Sequence, residues 1–192
     1  MKTNWIGIDY GSQKAGTTAI AFCENRTIKF LQSTKGNSAD DFILKVLNQQ
    51  FSFIDTVFID APLSLPAAFY KKGEDFMYRK ADRALSAMSP MFLGGLTARA
   101  MRLAVELGKI DIKCYETYPS QVEKVVLGKA TPKKDKIQLN RIEGVLTSDG
   151  FSIEDCANRH QYDAFWAWWS GFRRNQNKAN FIGDPDEGVI VI

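Results

Sequence analysis

Four acids in this chain stand where an acid needs an explanation. Asp9 closes the apolar run WIGID, Asp60 closes VFID and Glu116 closes IKCYE, each just before a turn residue: Gly11, Pro62 or Pro119. The fourth, Asp163, lies inside the strongly apolar stretch YDAFWAWWSG. In an open α/β sheet, sites form beyond the carboxyl ends of the strands. Neighbouring strands are about 4.8 Å apart, so acids at adjacent ends are expected to converge. Ionised carboxylates that close repel one another and resist desolvation unless a cation neutralises them. A hard divalent cation bound by oxygen donors meets that need. Any one strand-end acid also works as a turn former, because Asp bonds its own backbone well. Three at successive strand ends favour a site.

Asp163 has two further neighbours of interest. His160 is three residues earlier and shares its helix face. Arg159 is four residues earlier and offers an internal salt bridge instead of a metal ion. Arg79 and Arg83, one helical turn apart, are candidates for forked contacts to phosphate. For Arg79 a salt bridge with Asp82 is an equally good use. Lys133, Lys134 and Lys136, in GKATPKKDK, offer charge to steer a phosphate backbone. The alternative for such a run is a solvated face.

The elements that position these residues follow from patterning. Residues 4–9 read as a short buried strand, and TTAIAFCE (17–24) and TIKFLQ (27–32) as two more joined by a hairpin turn at 24–26. NSADDFILKVLNQQ opens on Ser38 with Asp41 three later, a capping box, and its apolar residues have helical spacing. DTVFIDAP (55–62) is a buried strand ended by proline. Helices are expected at about 74–88 and 97–107, the second stopped by Gly108. A strand follows at 110–116, then a helix at 134–147, an aromatic helix at about 158–174, and a last strand in GVIVI. In the aromatic helix Ala164, Ala167 and Gly171 are small enough to let it lie close on the sheet, with Phe165, Trp166, Trp168 and Trp169 as the bulky complement. The whole, 1–192, reads as one α/β domain with a helical elaboration between 63 and 109.

Bulk composition narrows the class. With 45% hydrophobic and 24% charged residues, the chain has the make-up of an ordinary globular protein. The start lacks the apolar stretch of a signal peptide, and DAFWAWWSGF is too short to span a bilayer. Three widely spaced cysteines read as small apolar residues in a reducing cytoplasm. A single histidine argues against zinc. The net charge of +3 permits nucleic-acid binding without demanding it. A homodimer is compatible with all of this.

The order of elements and acids resembles the RNase H-like fold: a three-strand meander, a helix, a fourth strand and a late helix, with acids on strands one and four and on that helix. GIDYG resembles the first motif of RuvC-type resolvases, and HQYDA resembles the H-x-x-D-A or D-x-x-D-A pattern of their last helix. The position three before Asp163 is here His160 and not an acid. Closer is the resemblance to the family called domain of unknown function 429, described as predicted RNase H-like nucleases. Its elements occur in order: GIDYG, IDAPLSLP, RKADRAL, YETYPS, YDAFWAWWSG and DEGVIVI. The resemblance implies a mixed sheet of order 3-2-1-4-5 flanked by helices, with the helical insertion after strand 4. It also implies phosphodiester hydrolysis of nucleic acid by two Mg²⁺ or Mn²⁺ ions about 3.5–4 Å apart. Asp9 would bridge them, with Asp60 and Asp163 each completing one. His160 would be a ligand or a proton-transfer group, and Glu116 a further ligand or supporting base.

Two other readings stand beside the nuclease. The hairpin GSQKAGTTAIAF also suits an actin-like or sugar-kinase-like ATPase, whose phosphate loops lie in two related halves. The chain has room for one copy, and SDG at 148–150 lacks the strand and glycines of a second loop. The other reading is an RNase H-like scaffold that binds nucleic acid or protein without catalysis. Retention of all four acids speaks against it.

Overall fold

The computed structural model describes residues 3–131 and 139–192. Lys133, Lys134 and Lys136 lie outside them. Among the described residues eight strands form one mixed sheet: β1 (Trp5–Asp9), β2 (Ala19–Glu24), β3 (Thr27–Gln32), β4 (Thr56–Asp60), β5 (Lys113–Thr117), β6 (Ser152–Ile153), β7 (Phe181–Asp184) and β8 (Gly188–Val191). Their order is β6-β3-β2-β1-β4-β5-β8-β7. The five central strands therefore run 3-2-1-4-5, the RNase H-like order. The meander β1-β2-β3 is antiparallel, while β4 and β5 add in parallel to β1.

Local signals explain most of these elements. Asn25 and Arg26 both take positive φ, 51° and 65°, which gives β2 and β3 the mirror-image turn whose twist suits a hairpin. Helix α1 (Ala39–Gln50) is capped by Ser38, whose Oγ accepts the Asp41 N–H at 3.3 Å. Between β4 and β5 the chain forms a short 3₁₀ turn (Ala67–Tyr70) and helices α2 (Lys80–Leu85), α3 (Pro90–Leu93) and α4 (Gly95–Gly108). The expected helix over 74–88 is thus much shorter. Asp75 accepts the N–H groups of Met77 and Tyr78 at 2.8 and 3.0 Å, closing a turn before it, and Ser86 ends it in the left-handed region. Helix α5 (Pro119–Leu127) was not expected; Pro119 both ends the strand and starts the helix at a position that needs no N–H. Helices α6 (Leu139–Ser148) and α7 (Arg159–Asn175) follow, on either side of β6, and β7 and β8 come after α7.

The sheet separates two apolar layers. On one face Ile6, Ile8, Val57 and Ile59 meet Ile43 and Leu47 of α1 and Ala100, Leu103 and Leu107 of α4. On the other, Trp5 and Phe58 meet α7, with Val122 of α5 and Ile142 and Leu146 of α6 around it. Trp166 and Trp168 are wholly buried there. Each side chain of this kind contributes about 2–3 kcal/mol of transfer free energy. Gly7 explains why α7 sits so close: a Cβ at that position would collide with the backbone of Trp168 and Ala164. At the far end, a Cβ on Gly171 would strike the Trp5 ring. Among the described residues no helix is long and apolar enough to cross a membrane.

Candidate functional site

Asp9 and Asp60 occupy the same rung of the parallel pair β1/β4. Side chains on one rung of neighbouring strands leave the sheet on the same face. For this rung it is the α7 face, since Gly7 and Phe58, two residues earlier, both meet that helix. The first turn of α7 brings His160 onto Asp9, with Nδ1 2.7 Å from Oδ2. The hydrogen bond and charge of Asp9 raise the His160 pKa above its ordinary value, burial opposes them, and the charge of Asp163 adds to the rise.

The placement of His160 rests on residues the sequence reading did not pick out. Asn158 caps α7, its side-chain oxygen accepting the N–H groups of His160 and Gln161 at 3.0 and 3.2 Å. Its own amide donates to Gln32 Oε1 at 2.8 Å, and Gln32 Nε2 donates to the Gly16 carbonyl at 2.9 Å. One side chain at the end of β3 therefore ties the β1–β2 loop to the start of α7. Asn immediately before the aromatic helix was the available signal for the cap. Gln32 carried none.

Asp163 lies one turn further along α7, on the same face as His160. Arg159 Nε reaches both its oxygens, at 2.9 and 3.1 Å, and Arg159 Nη1 donates to the Thr131 carbonyl at 3.1 Å. The internal salt bridge weighed from the sequence is therefore formed. Among the described residues, no group of three or more His, Cys, Asp or Glu side chains is arranged as a metal cage. The in-register pair Asp9–Asp60 alone suits one hard cation of the Mg²⁺ type, which takes one or two carboxylates and completes its shell with water and substrate oxygens. A second ion would need Asp163 turned away from Arg159.

Glu116 departs from the expected convergence. It pairs in register with Ile59, not with Asp60. Ile59 packs in the α1/α4 layer, so Glu116 leaves the sheet on the face opposite Asp9 and Asp60. The residue level with Asp60 is Thr117, and its hydroxyl lies 2.6 Å from Ser170 Oγ of α7. A shift of one residue in the pairing reverses a side chain's face. Glu116 instead takes Arg79 in a forked pair, Nη1 to Oε2 at 2.7 Å and Nη2 to Oε1 at 2.6 Å. Burial pushes its carboxyl pKa up, against the opposing pull of Arg79.

Arg79 is likewise not presented to a phosphate. It has no exposed surface and is enclosed by Glu116, Asp82 and the Ser64 hydroxyl. Its planar fork suits two carboxylates, and the salt bridge to Asp82 weighed from the sequence is formed. Arg83 is mostly exposed; it pairs with Asp75 and lies over the Tyr78 ring, 4.7 Å from its centroid. Glu187, unremarked in the sequence, takes the N–H groups of Lys80 and Ala67 at 2.6 and 3.1 Å. It anchors the start of α2 and of the 3₁₀ turn beside the site.

These elements enclose a cleft of about 310 Å³. Asp9 and Asp60 line it together with Tyr10, Thr117 and Tyr118; Glu116, with Arg79 and Asp82, reaches the same cleft from the opposite face of the sheet, and Met88, Leu93 and Leu96 are its main apolar residues. Tyr10 is fixed from behind, its hydroxyl 2.5 Å from Asp40, which Arg99 holds at 2.6 Å while also donating to the Gly11 carbonyl.

No family model matches this chain, and no curated protein does. Among solved structures it is similar to one described as Thermus thermophilus RuvC, with 20% sequence identity and a TM-score of 0.48, over 91% of this chain and 96% of that one. A likeness of that degree carries no weight for the chemistry.

Proposed function

We propose that the protein is a metal-dependent nuclease that hydrolyses phosphodiester bonds, and that its site is Asp9, Asp60, His160 and Asp163. The observation that carries this reading is the shared rung of Asp9 and Asp60, two carboxylates side by side at the carboxyl ends of parallel strands. Bound between them, Mg²⁺ or Mn²⁺ would polarise a phosphoryl oxygen and lower the pKa of water. Asp9 and Asp60 supply the negative charge that holds the cation. His160 stands at hydrogen-bond distance from Asp9 and carries a proton more readily than an ordinary histidine, which suits proton transfer to a leaving oxygen. Asp163 becomes a ligand once Arg159 turns to a substrate phosphate, an exchange of one anionic partner for another. Glu116 and Arg79 support the floor of the cleft. Arg83, which is exposed, and Lys133 and Lys134 are the cations assigned to the nucleic-acid backbone. In this reading the chain is a single domain of the family called domain of unknown function 429, a resemblance supported by the ordered motifs.

The test is a panel of single-strand, duplex, hybrid and branched nucleic acids with Mg²⁺ or Mn²⁺. Loss of a bound cation removes several kcal/mol of transition-state stabilisation, so Asp9→Asn should lower the rate by at least about a hundredfold. Equal product from both proteins would overturn the assignment.

The Arg159–Asp163 ion pair favours a second reading, an RNase H-like scaffold that binds nucleic acid or protein without cutting it. Thermal shift separates the two: no stabilisation by millimolar Mn²⁺ supports the scaffold.

A further inference from the structure

The lining of the cleft over Asp9 and Asp60 is of two kinds. Its polar part is Asp9 and Asp60 at the strand ends, with Thr117 and with Glu116 and Asp82 held by Arg79. Its apolar part comes mainly from the insertion after β4, as Met88, Leu93 and Leu96, with Tyr10, Tyr118 and Ile190 in the same lining. Met88 is 61% exposed, and Phe92, beside Leu93 in the chain, is 63% exposed with its ring edge-on to Tyr78 at 6.0 Å. An enzyme that handled only a phosphate and its metal would have no use for that apolar part, since apolar surface in contact with water is costly and is kept where something covers it.

We propose that this apolar part is a base-binding subsite, and that the protein acts on an unpaired nucleotide whose base leaves the stack and enters the cleft. The proposal rests on the nuclease reading above and names its substrate class: single strands, frayed ends or unpaired positions instead of intact duplex. Volume supports it. At about 310 Å³ the cleft is at the small end of the range of about 300–1,000 Å³ found for small-ligand pockets. That size suits one small organic group such as a single base. Chemistry supports it as well, because every base has an apolar π-face that packs on aromatic and aliphatic side chains whatever its sequence. With the phosphate toward Asp9 and Asp60, the base packs on Met88, Leu93 and Leu96. Sequence preference should therefore be slight, and preference for unpaired over paired substrate strong.

The experiment compares fluorescent oligothymidylate with a blunt duplex of equal length by anisotropy, in EDTA and again with Mn²⁺, for wild type, Met88→Ala and Leu93→Ala. Met88 is exposed, so its substitution leaves the fold intact, and an unchanged melting temperature checks this. The expected result is single-strand binding that is tighter than duplex binding and weakens about tenfold in either variant, with duplex binding unchanged. Equal affinity for both substrates, untouched by Met88→Ala, overturns the base subsite while leaving an Asp9-dependent cleavage intact. Base-dependent binding with no cleavage of any substrate upholds the subsite and overturns the nuclease.

Discussion

The Nδ1 of His160 lies 2.7 Å from Oδ2 of Asp9, and this contact joins the first strand of the sheet to the last helix across 151 residues. It brings the one histidine of the chain onto the acid at the centre of the proposed site. Because there is one histidine, its titration can be followed without assignment.

The His160 ring signal in NMR should titrate above the ordinary 6.5, and in Asp9→Asn the midpoint should fall back toward that value. The raised folded value means that the charged pair stabilises fully below the unfolded pKa and that its contribution is lost as pH rises through the folded pKa. The urea midpoint of wild type should therefore exceed that of His160→Gln more at about pH 5.5 than at about pH 8.5. A gap that widens with pH contradicts the pair.

Freeing Asp163 tests its role as a ligand. Arg159→Leu removes the guanidinium that now occupies both carboxylate oxygens. Mn²⁺ affinity by calorimetry should rise by about tenfold, the effect of one neighbouring charge at a partly screened distance. An unchanged affinity removes Asp163 from the metal site.

Arg79 is a structural cation. Arg79→Met leaves Glu116 and Asp82 buried without their partner, which should cost about 3–5 kcal/mol in urea unfolding. Glu116→Gln should lower stability too, yet depress the rate of cleavage far less than Asp60→Asn. Equal loss of rate in the two variants would return Glu116 to the metal.

Gly7→Ala should destabilise the protein by about 1–3 kcal/mol, because its neighbours are helix backbone and cannot turn aside as a side chain does. Denaturant unfolding measures it. A neutral result would mean that α7 can ride away from the sheet.

How far the sequence discloses all this depends on whether a feature is local. Strand β1, helix α1 and the aromatic helix α7 are legible because period and caps lie within a dozen residues: Ser38 before α1, the small residues of α7 facing β1. The strand order follows from the motifs' resemblance, and it is present. Glu116 shows what local reading leaves out. Its residue type and strand-end position match those of Asp9 and Asp60, but its face is decided by which residue of β4 it pairs with, a non-local choice. The shortened α2 depends on Asp75 folding back on Met77 and Tyr78, a competition between side chain and helix that hydrophobic spacing does not register. Gln32 and Glu187 act only across the fold, and their neighbours in the chain say nothing of it.

The part played by Glu187 has a consequence for synthesis. Its carboxylate receives N–H groups from residues 107 and 120 positions earlier, and its carbonyl holds the Ser64 hydroxyl. Chains emerge from the ribosome amino end first. Asp9 and Asp60 can thus take their places in a growing sheet long before the helices around them have their anchor. The strands that bear these two acids are complete in the chain before the residue that ties down the start of α2, the 3₁₀ turn and Ser64 has been made.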